Sequence, residues 1–166
     1  MTDEIVIRPI TLLDVAGFNA CVSAVARERR WIMITDAPPI ESTRRFVEAT
    51  LETGRPHVVA LDVERVVGWC DIRPHVFEGF RHCGELGMGL LPEYLGRGIG
   101  RRFVEDVLRR SWIFGLSRIE LEVHASNAAA IRLYERTGFV REGLKRRARF
   151  LDGTWDDIVV MAILQN

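Results

Sequence analysis

The sequence predicts an α/β (α+β) fold: a mixed sheet of about seven strands with about four helices on its faces. Three observations lead there. The chain has 166 residues, 48% hydrophobic and 28% charged, enough for one domain over residues 1–166 with a single core. Strand-like and helix-like segments follow the order strand, two helices, three strands, helix, strand, helix, two strands. No repeat, low-complexity stretch or linker separates them.

Each element has a local reason. Ile5-Val6-Ile7 reads as a short strand that Pro9 ends. Thr11 and Asp14 form a capping pair, and Val15, Phe18, Val22 and Val25 follow at helical spacing to about Arg29. Pro38-Pro39 breaks the chain, leaving a loop in which Trp31 and Met33 look exposed. A second helix over 41–52 closes at Gly54. Residues 57–61 and 66–72 are β-rich and flank a hairpin turn; Pro74 ends the second run. The third strand, 83–91, carries Gly84, Gly87 and Gly89, which points to a bulge or a close backbone approach.

After Pro92 a glycine loop leads into a helix over 101–114, striped by Phe103, Val104, Val107, Leu108 and Trp112. Ile119, Leu121 and Val123 alternate with Glu120 and Glu122, as in a half-buried strand. Residues 127–136 form a short helix with Gly138 just past its end. Strands over 140–150 and 155–163 join around Asp152-Gly153, a hairpin signal.

Composition narrows the function only by exclusion. Lys plus Arg and Asp plus Glu are both 23, so no large positive field exists for nucleic acid or an anionic membrane. Cys21, Cys70 and Cys83 are scattered and odd in number, which fits a reducing compartment and no disulfide framework. No cysteine or histidine cluster has zinc spacing, so no metal is expected. The acidic start, Met1-Thr2-Asp3-Glu4, is not that of a signal peptide, and no stretch approaches the ~20 apolar residues of a membrane span. A cytoplasmic location is the expectation.

The chemistry-bearing feature is the loop with Gly96, Gly98 and Gly100 between a strand and a helix. An ordinary tight turn needs one or two glycines. Three alternating ones beside Arg97 and Arg101, ahead of a helix N-terminus with unpaired N–H groups, make an anion cradle. It is not a nucleotide-triphosphate loop, because Arg101-Arg102 stand where Lys-Ser/Thr belongs. Nor is it a dinucleotide fingerprint: Phe103 holds the third glycine place, and the loop lies mid-chain.

The run Pro92-Glu93-Tyr94-Leu95-Gly96-Arg97-Gly98-Ile99-Gly100 resembles the acetyl-CoA signature of the GNAT superfamily of N-acetyltransferases, Gln/Arg-x-x-Gly-x-Gly/Ala. Leu95 stands where that family carries Gln or Arg. Residues 127–139, Asn-Ala-Ala-Ala-Ile-Arg-Leu-Tyr-Glu-Arg-Thr-Gly-Phe, resemble its second hallmark, Asn-x-x-Ala-x-x-Leu-Tyr-x-x-x-Gly-Phe.

The resemblance implies a mostly antiparallel sheet whose central strands splay apart, with acetyl-CoA as co-substrate between strand 88–90 and strand 119–123. Main-chain groups of Met88, Gly89 and Leu90 would hold the pantetheine arm. The N–H groups of Leu95, Gly96, Arg97, Gly98, Ile99 and Gly100 would meet the diphosphate. Arg97 or Arg101 would compensate for the side chain missing at Leu95. Asn127 would contact the cofactor or only cap its helix.

The implied reaction is direct attack of a primary amine on the thioester. The amine must be neutral, although its pKa is about 8 for an α-amino group and about 10.4 for lysine. The oxyanion needs donors such as the Leu90 N–H, and the thiolate needs a proton. Tyr134 matches the family's proton donor; its alternative role is packing beside Ile131. Glu85 is the candidate base; its alternative is a solvated strand carboxylate. His75, His82, His124 and Asp71 are further proton-relay options.

Glu142-Gly143 and the run Asp152-Gly153-Thr154-Trp155-Asp156-Asp157 resemble the branch holding amino-acid and ribosomal-protein N-terminal acetyltransferases. The expected acceptor is a free amino acid or small amine. A protein N-terminus is the alternative, and a non-catalytic acyl-CoA sensor is a third reading. Arg146, Arg147 and Arg149 are either carboxylate binders or a solvated basic strand. A homodimer is expected, with the apolar final strand, 158–163, as the candidate for pairing across the interface.

Overall fold

The computed structural model describes residues 5–166; residues 1–4, with the acidic start, lie outside the described residues. Strand β1 (Val6–Pro9) leads through a single 3-10 turn to α1 (Val15–Arg27) and α2 (Ile40–Thr53). Next come β2 (His57–Asp62), β3 (Arg65–Pro74) and β4 (Cys83–Leu90), then α3 (Ile99–Phe114), β5 (Arg118–His124), α4 (Ala128–Arg136), β6 (Val140–Leu151) and β7 (Thr154–Leu164). The sheet order is β1-β2-β3-β4-β5-β7-β6. Among the described strands only β4 and β5 run parallel; the other neighbours are antiparallel.

The predicted elements are all present, with boundaries shifted by a residue or two. The first helix enters through the 3-10 turn Leu12–Asp14, where the Asp14 carboxylate accepts from the Thr11 N–H at 2.8 Å and pairs with Arg8. Gly54 ends α2 at φ +70°, a value that costs a side-chain-bearing residue more than it costs glycine.

Alternation along the strands sorts side chains onto two faces. Trp69 meets Phe18 of α1 edge-on at 5.7 Å, and His57 lies between Phe18 and Phe46, so α1 and α2 cover that face. On the other face Phe103 of α3 packs where Gly68 carries no side chain, and Leu133 of α4 reaches Gly100. Phe103, Val104 and Val107 of α3 are fully buried, each contributing about 1.5–3 kcal/mol of apolar burial.

Two expectations are corrected. The apolar final strand does not pair across an interface, because β7 is flanked on both sides, by β5 and by β6. The free edges are β1 and β6. Trp31 is not an exposed loop residue. It is half-buried, with its ring 6.2 Å from that of His124, while Met33 is exposed as expected.

Candidate active site

The centre of the sheet opens into a wedge. β4 and β5 share only three rungs, Cys83 with Arg118, Gly84 with Ile119 and Glu85 with Glu120. Past that point each strand follows its outer neighbour. β4 stays paired with β3 as far as Leu90, and β5 stays paired with β7 as far as His124. Met88, Gly89 and Leu90 therefore lie on one inner edge of the wedge, with Leu121 to His124 on the other. Such an edge offers main-chain donors and acceptors to an extended ligand.

The glycine loop sits at the wide end. A 3-10 turn, Pro92–Tyr94, precedes it, and the Leu95 N–H donates to the Pro92 carbonyl at 3.1 Å. Leu95 was expected among the anion donors, but its amide is already engaged. The free donors begin at Gly96. From there to Arg101 no N–H has an acceptor among the described residues; the first bond of the helix is Arg102 N–H to the Gly98 carbonyl. Gly96 and Gly98 have φ of +75° and +77°, which turns successive N–H groups the same way.

Gly100 serves a different purpose: a Cβ there would stand 3.0 Å from Leu133, so its bareness lets α4 approach α3. Ile99 is buried and anchors the helix start. Arg97 stacks over Tyr94 at 4.9 Å, and Tyr94 is held by Asp62 at 2.5 Å. Arg101 is exposed and paired with Glu105.

On the α1/α2 face, β3 leans over β4. A Cβ on Gly89 would lie 2.1 Å from Trp69 Cη2, and one on Gly87 would lie 3.1 Å from Asp71 Oδ1. The indole of Trp69 thus occupies the space that Gly89 vacates, and the carboxylate of Asp71 lies against the bare face of Gly87. Arg73, the next residue on this face, lies opposite Glu85 in register and reaches it at 3.3 Å.

Carboxylates lie at the narrow end of the wedge and just past it. Glu85 pairs with Arg73. Glu120 bonds to His75 at 3.1 Å and to Arg118 at 3.0 Å. Glu122 is bonded by Lys145. Asp71 is buried, and its nearest cation, Arg73 Nε, is 3.9 Å away, beyond hydrogen-bond reach. Burial pushes its carboxyl up to about 6, and the Arg73 and Arg55 charges limit the rise. A cavity of about 530 Å³ adjoins Glu120, walled by His75, Phe77, Phe80 and Arg118.

The remaining predicted residues are dispersed. Tyr134 is buried on α4, 5.7 Å edge-on from Phe139, and burial holds its phenol well above the ordinary range. It therefore stays protonated, with a proton to donate. Asn127 caps α4, its Oδ1 accepting from the Ala130 N–H at 3.1 Å. His124 is buried beside Asp156, with burial lowering its pKa; His82 is exposed on the wall of the cavity.

Arg29 forms a two-bond pair with Asp152, and Arg149 donates to the Arg29 carbonyl. Together they strap loop 28–39 to the tip of the β6–β7 hairpin. Arg146 and Arg147 are exposed on β6, with Arg147 over Trp155. Sequence reading did not single out Arg73, Glu120 or Glu122. The available signal was the period-two run Trp69, Asp71, Arg73 facing Glu85, Gly87, Gly89, but the register that joins the two is not local information.

The model of the Acetyltransferase (GNAT) family matches residues 24–139. The L-methionine sulfoximine/L-methionine sulfone acetyltransferase of Pseudomonas paraeruginosa is 29% identical over 161 residues, 95% of this chain and 92% of that protein. The spermidine N(1)-acetyltransferase of Vibrio cholerae is 37% identical over 78 residues, which are 46% of this chain and 45% of that enzyme, so under half of the latter is spanned. Among solved structures, the ribosomal-protein-alanine N-acetyltransferase of Brucella melitensis superposes with a TM-score of 0.88 at 26% identity, covering 96% of this chain and 99% of that one. The family match runs from within α1 to the end of α4 and takes in the wedge and its loop: the chain belongs to the acetyltransferase (GNAT) family.

Proposed function

We propose that the protein transfers an acetyl group from acetyl-CoA to the primary amine of a free amino acid or a comparably small amine. The observation that carries the reading is the wedge between β4 and β5, with its unpaired inner edges, opening directly beneath a loop of free N–H donors. The residues present fit the co-substrate: the N–H groups from Gly96 to Arg101, with Arg97 alongside, suit a diphosphate, and the free edge at Met88, Gly89 and Leu90 suits an extended amide-bearing arm. Leu95 would lend no amide, and Asn127 would steady α4 rather than bind.

Acetyl-CoA supplies the activated acyl carbon. The chain's own residues do the rest. The Leu90 N–H is the donor proposed for the developing oxyanion. Tyr134, kept protonated by burial, gives its proton to the departing sulfur. Glu85, on the last paired rung, holds Arg73 on the α1/α2 face beside the wedge, where the guanidinium can take an acceptor carboxylate.

The small acceptor is favoured by the L-methionine sulfoximine enzyme, the relative matched over nearly its whole length. The Arg29–Asp152 strap, which ties loop 28–39 to the tip of the β6–β7 hairpin, adds to this by limiting the room for a long acceptor. A protein N-terminus is the second reading, favoured by the Brucella structure. The proposal includes a cytoplasmic setting, in keeping with three free, buried cysteines, and a homodimer for which edge strand β6 is available. No described helix is long and apolar enough to cross a membrane.

The test is release of free thiol from acetyl-CoA with a panel of amino acids, alanine-led peptides, polyamines and aminoglycosides. Turnover with amino acids alone supports the proposal. Preference for the peptides moves it to the second reading, and acetyl-CoA binding without turnover on any acceptor moves it to a sensor. Light scattering of the purified protein checks the dimer.

A further inference from the structure

Of the carboxylates around the wedge, Asp71 and Glu85 accept no hydrogen bond from a cation among the described residues, and of these two only Asp71 is buried. Glu85 has Arg73, Glu120 has Arg118 and His75, and Glu122 has Lys145. Asp71 has only Arg73 Nε at 3.9 Å and is nonetheless buried. A buried carboxylate held by one long ion pair and no hydrogen bond from a cation is costly, so its retention asks for a further cationic donor. Gly87, two residues past the last β4–β5 rung, carries no side chain beside Asp71, whose Oδ1 would stand 3.1 Å from a Cβ there. The carboxylate therefore faces the wedge over a bare stretch of β4.

We propose that Asp71, rather than Glu85, receives the ammonium of the acceptor and takes its proton, with Gly87 as the opening through which the amine reaches it. This rests on the acetyl-transfer reading above. The acceptor arrives as an ammonium and pairs with the carboxylate. One N–H proton passes to Asp71, and the freed nitrogen pair attacks the thioester carbon. A C–N bond forms and the C–S bond breaks. Tyr134 protonates the leaving sulfur, and the proton the nitrogen sheds on becoming an amide restores the phenol. The proton left on Asp71 goes to solvent.

The groups facing Asp71 suit this role. On its own strand is Arg73, and across β4 is Glu85. Its register partner on β2 is His57, which burial holds down to about 3 and hence neutral. Arg55, its positive charge near enough to act on Asp71, is tied to Thr50 and the Phe46 carbonyl. Neither His57 nor Arg55 is placed to neutralise the carboxylate by direct contact. A carboxyl titrating near 6 is a stronger base than an ordinary one and remains ionised at neutral pH.

The test compares the wild-type protein with Asp71→Asn, measuring kcat/KM for the best panel acceptor from pH 5 to 9 and acetyl-CoA affinity by calorimetry. The expected result is a wild-type acid limb near pH 6, a loss of about 100-fold or more in Asp71→Asn, disappearance of that limb, and unchanged acetyl-CoA affinity. Gly87→Ala should raise the acceptor KM with the acetyl-CoA affinity intact. Full kcat/KM in Asp71→Asn overturns the inference and leaves the acetyl-transfer reading standing. A loss of rate that keeps the acid limb also overturns it, because the residue is then structural. A wild-type protein inactive on every acceptor overturns the reading and the inference together.

Discussion

Replacing Asp71 by asparagine should stabilise the protein, and by an amount that depends on pH. The carboxyl moves from an ordinary 3.8 to about 6 because folding buries it. The native chain therefore holds this proton to higher pH than the unfolded chain does. By linkage, stability is intact below the unfolded pKa and is lost as pH rises through the native one. The cost works out to about 0.5 kcal/mol at pH 4, about 1.6 kcal/mol at pH 5 and about 3 kcal/mol above pH 7. Asparagine has the same shape and no charge, so it escapes the whole pH-dependent part. The stability gap between variant and wild type should widen by about 2.5 kcal/mol from pH 4 to pH 7.5. For a chain of this size that is about 5–10 °C in melting temperature. Urea unfolding at pH 4, 5, 6 and 7.5 reads it directly. A gap that stays constant with pH, or narrows as pH rises, would refute the reasoning, because the burial of Asp71 would then not outweigh the compensation from Arg73 and Arg55.

Four further outcomes follow from the same geometry. Tyr134→Phe should lower turnover about 100-fold while leaving acetyl-CoA affinity unchanged, read by thiol release and calorimetry. Gly98→Ala places a side chain at φ +77° where its Cβ meets nothing within 4 Å, so the cost is about 1–2 kcal/mol of backbone strain; a lower melting temperature and weaker acetyl-CoA binding should appear together. Arg73→Met should raise KM about tenfold or more for an amino acid but not for its amide, since only the former presents a carboxylate. Arg29→Ala opens the strap formed with the exposed Asp152; it should leave the melting temperature unchanged and raise the turnover of tripeptides relative to amino acids.

The loop and α4 were legible because their information is local. The glycines that need positive φ, the helix stripe of Phe103 and Val107, and the hallmark residues around Tyr134 are all set by neighbours a few positions away. The same locality made Gly100 look like a third phosphate-loop glycine, when its reason is the Leu133 side chain on another helix. Leu95 was expected to offer its amide for a similar reason: the sequence does not show that Pro92 already takes it. The final strand was apolar enough to suggest an interface, yet an interior strand with neighbours on both sides has the same composition.

By itself, the sequence determined the order of elements, the glycine-bearing loop and the two motifs that resemble the family. Those follow from periodicity, glycine conformation and contiguous spacing. Only the tertiary structure decided which carboxylates meet. Asp71, Glu85, Glu120 and Glu122 come from three strands, and their pairing depends on two registers and on where β4 leaves β5. It also decided which of them is buried with only a long ion pair. Burial and distance set the protonation of a carboxyl, and neither is a property of the residues beside it in the chain.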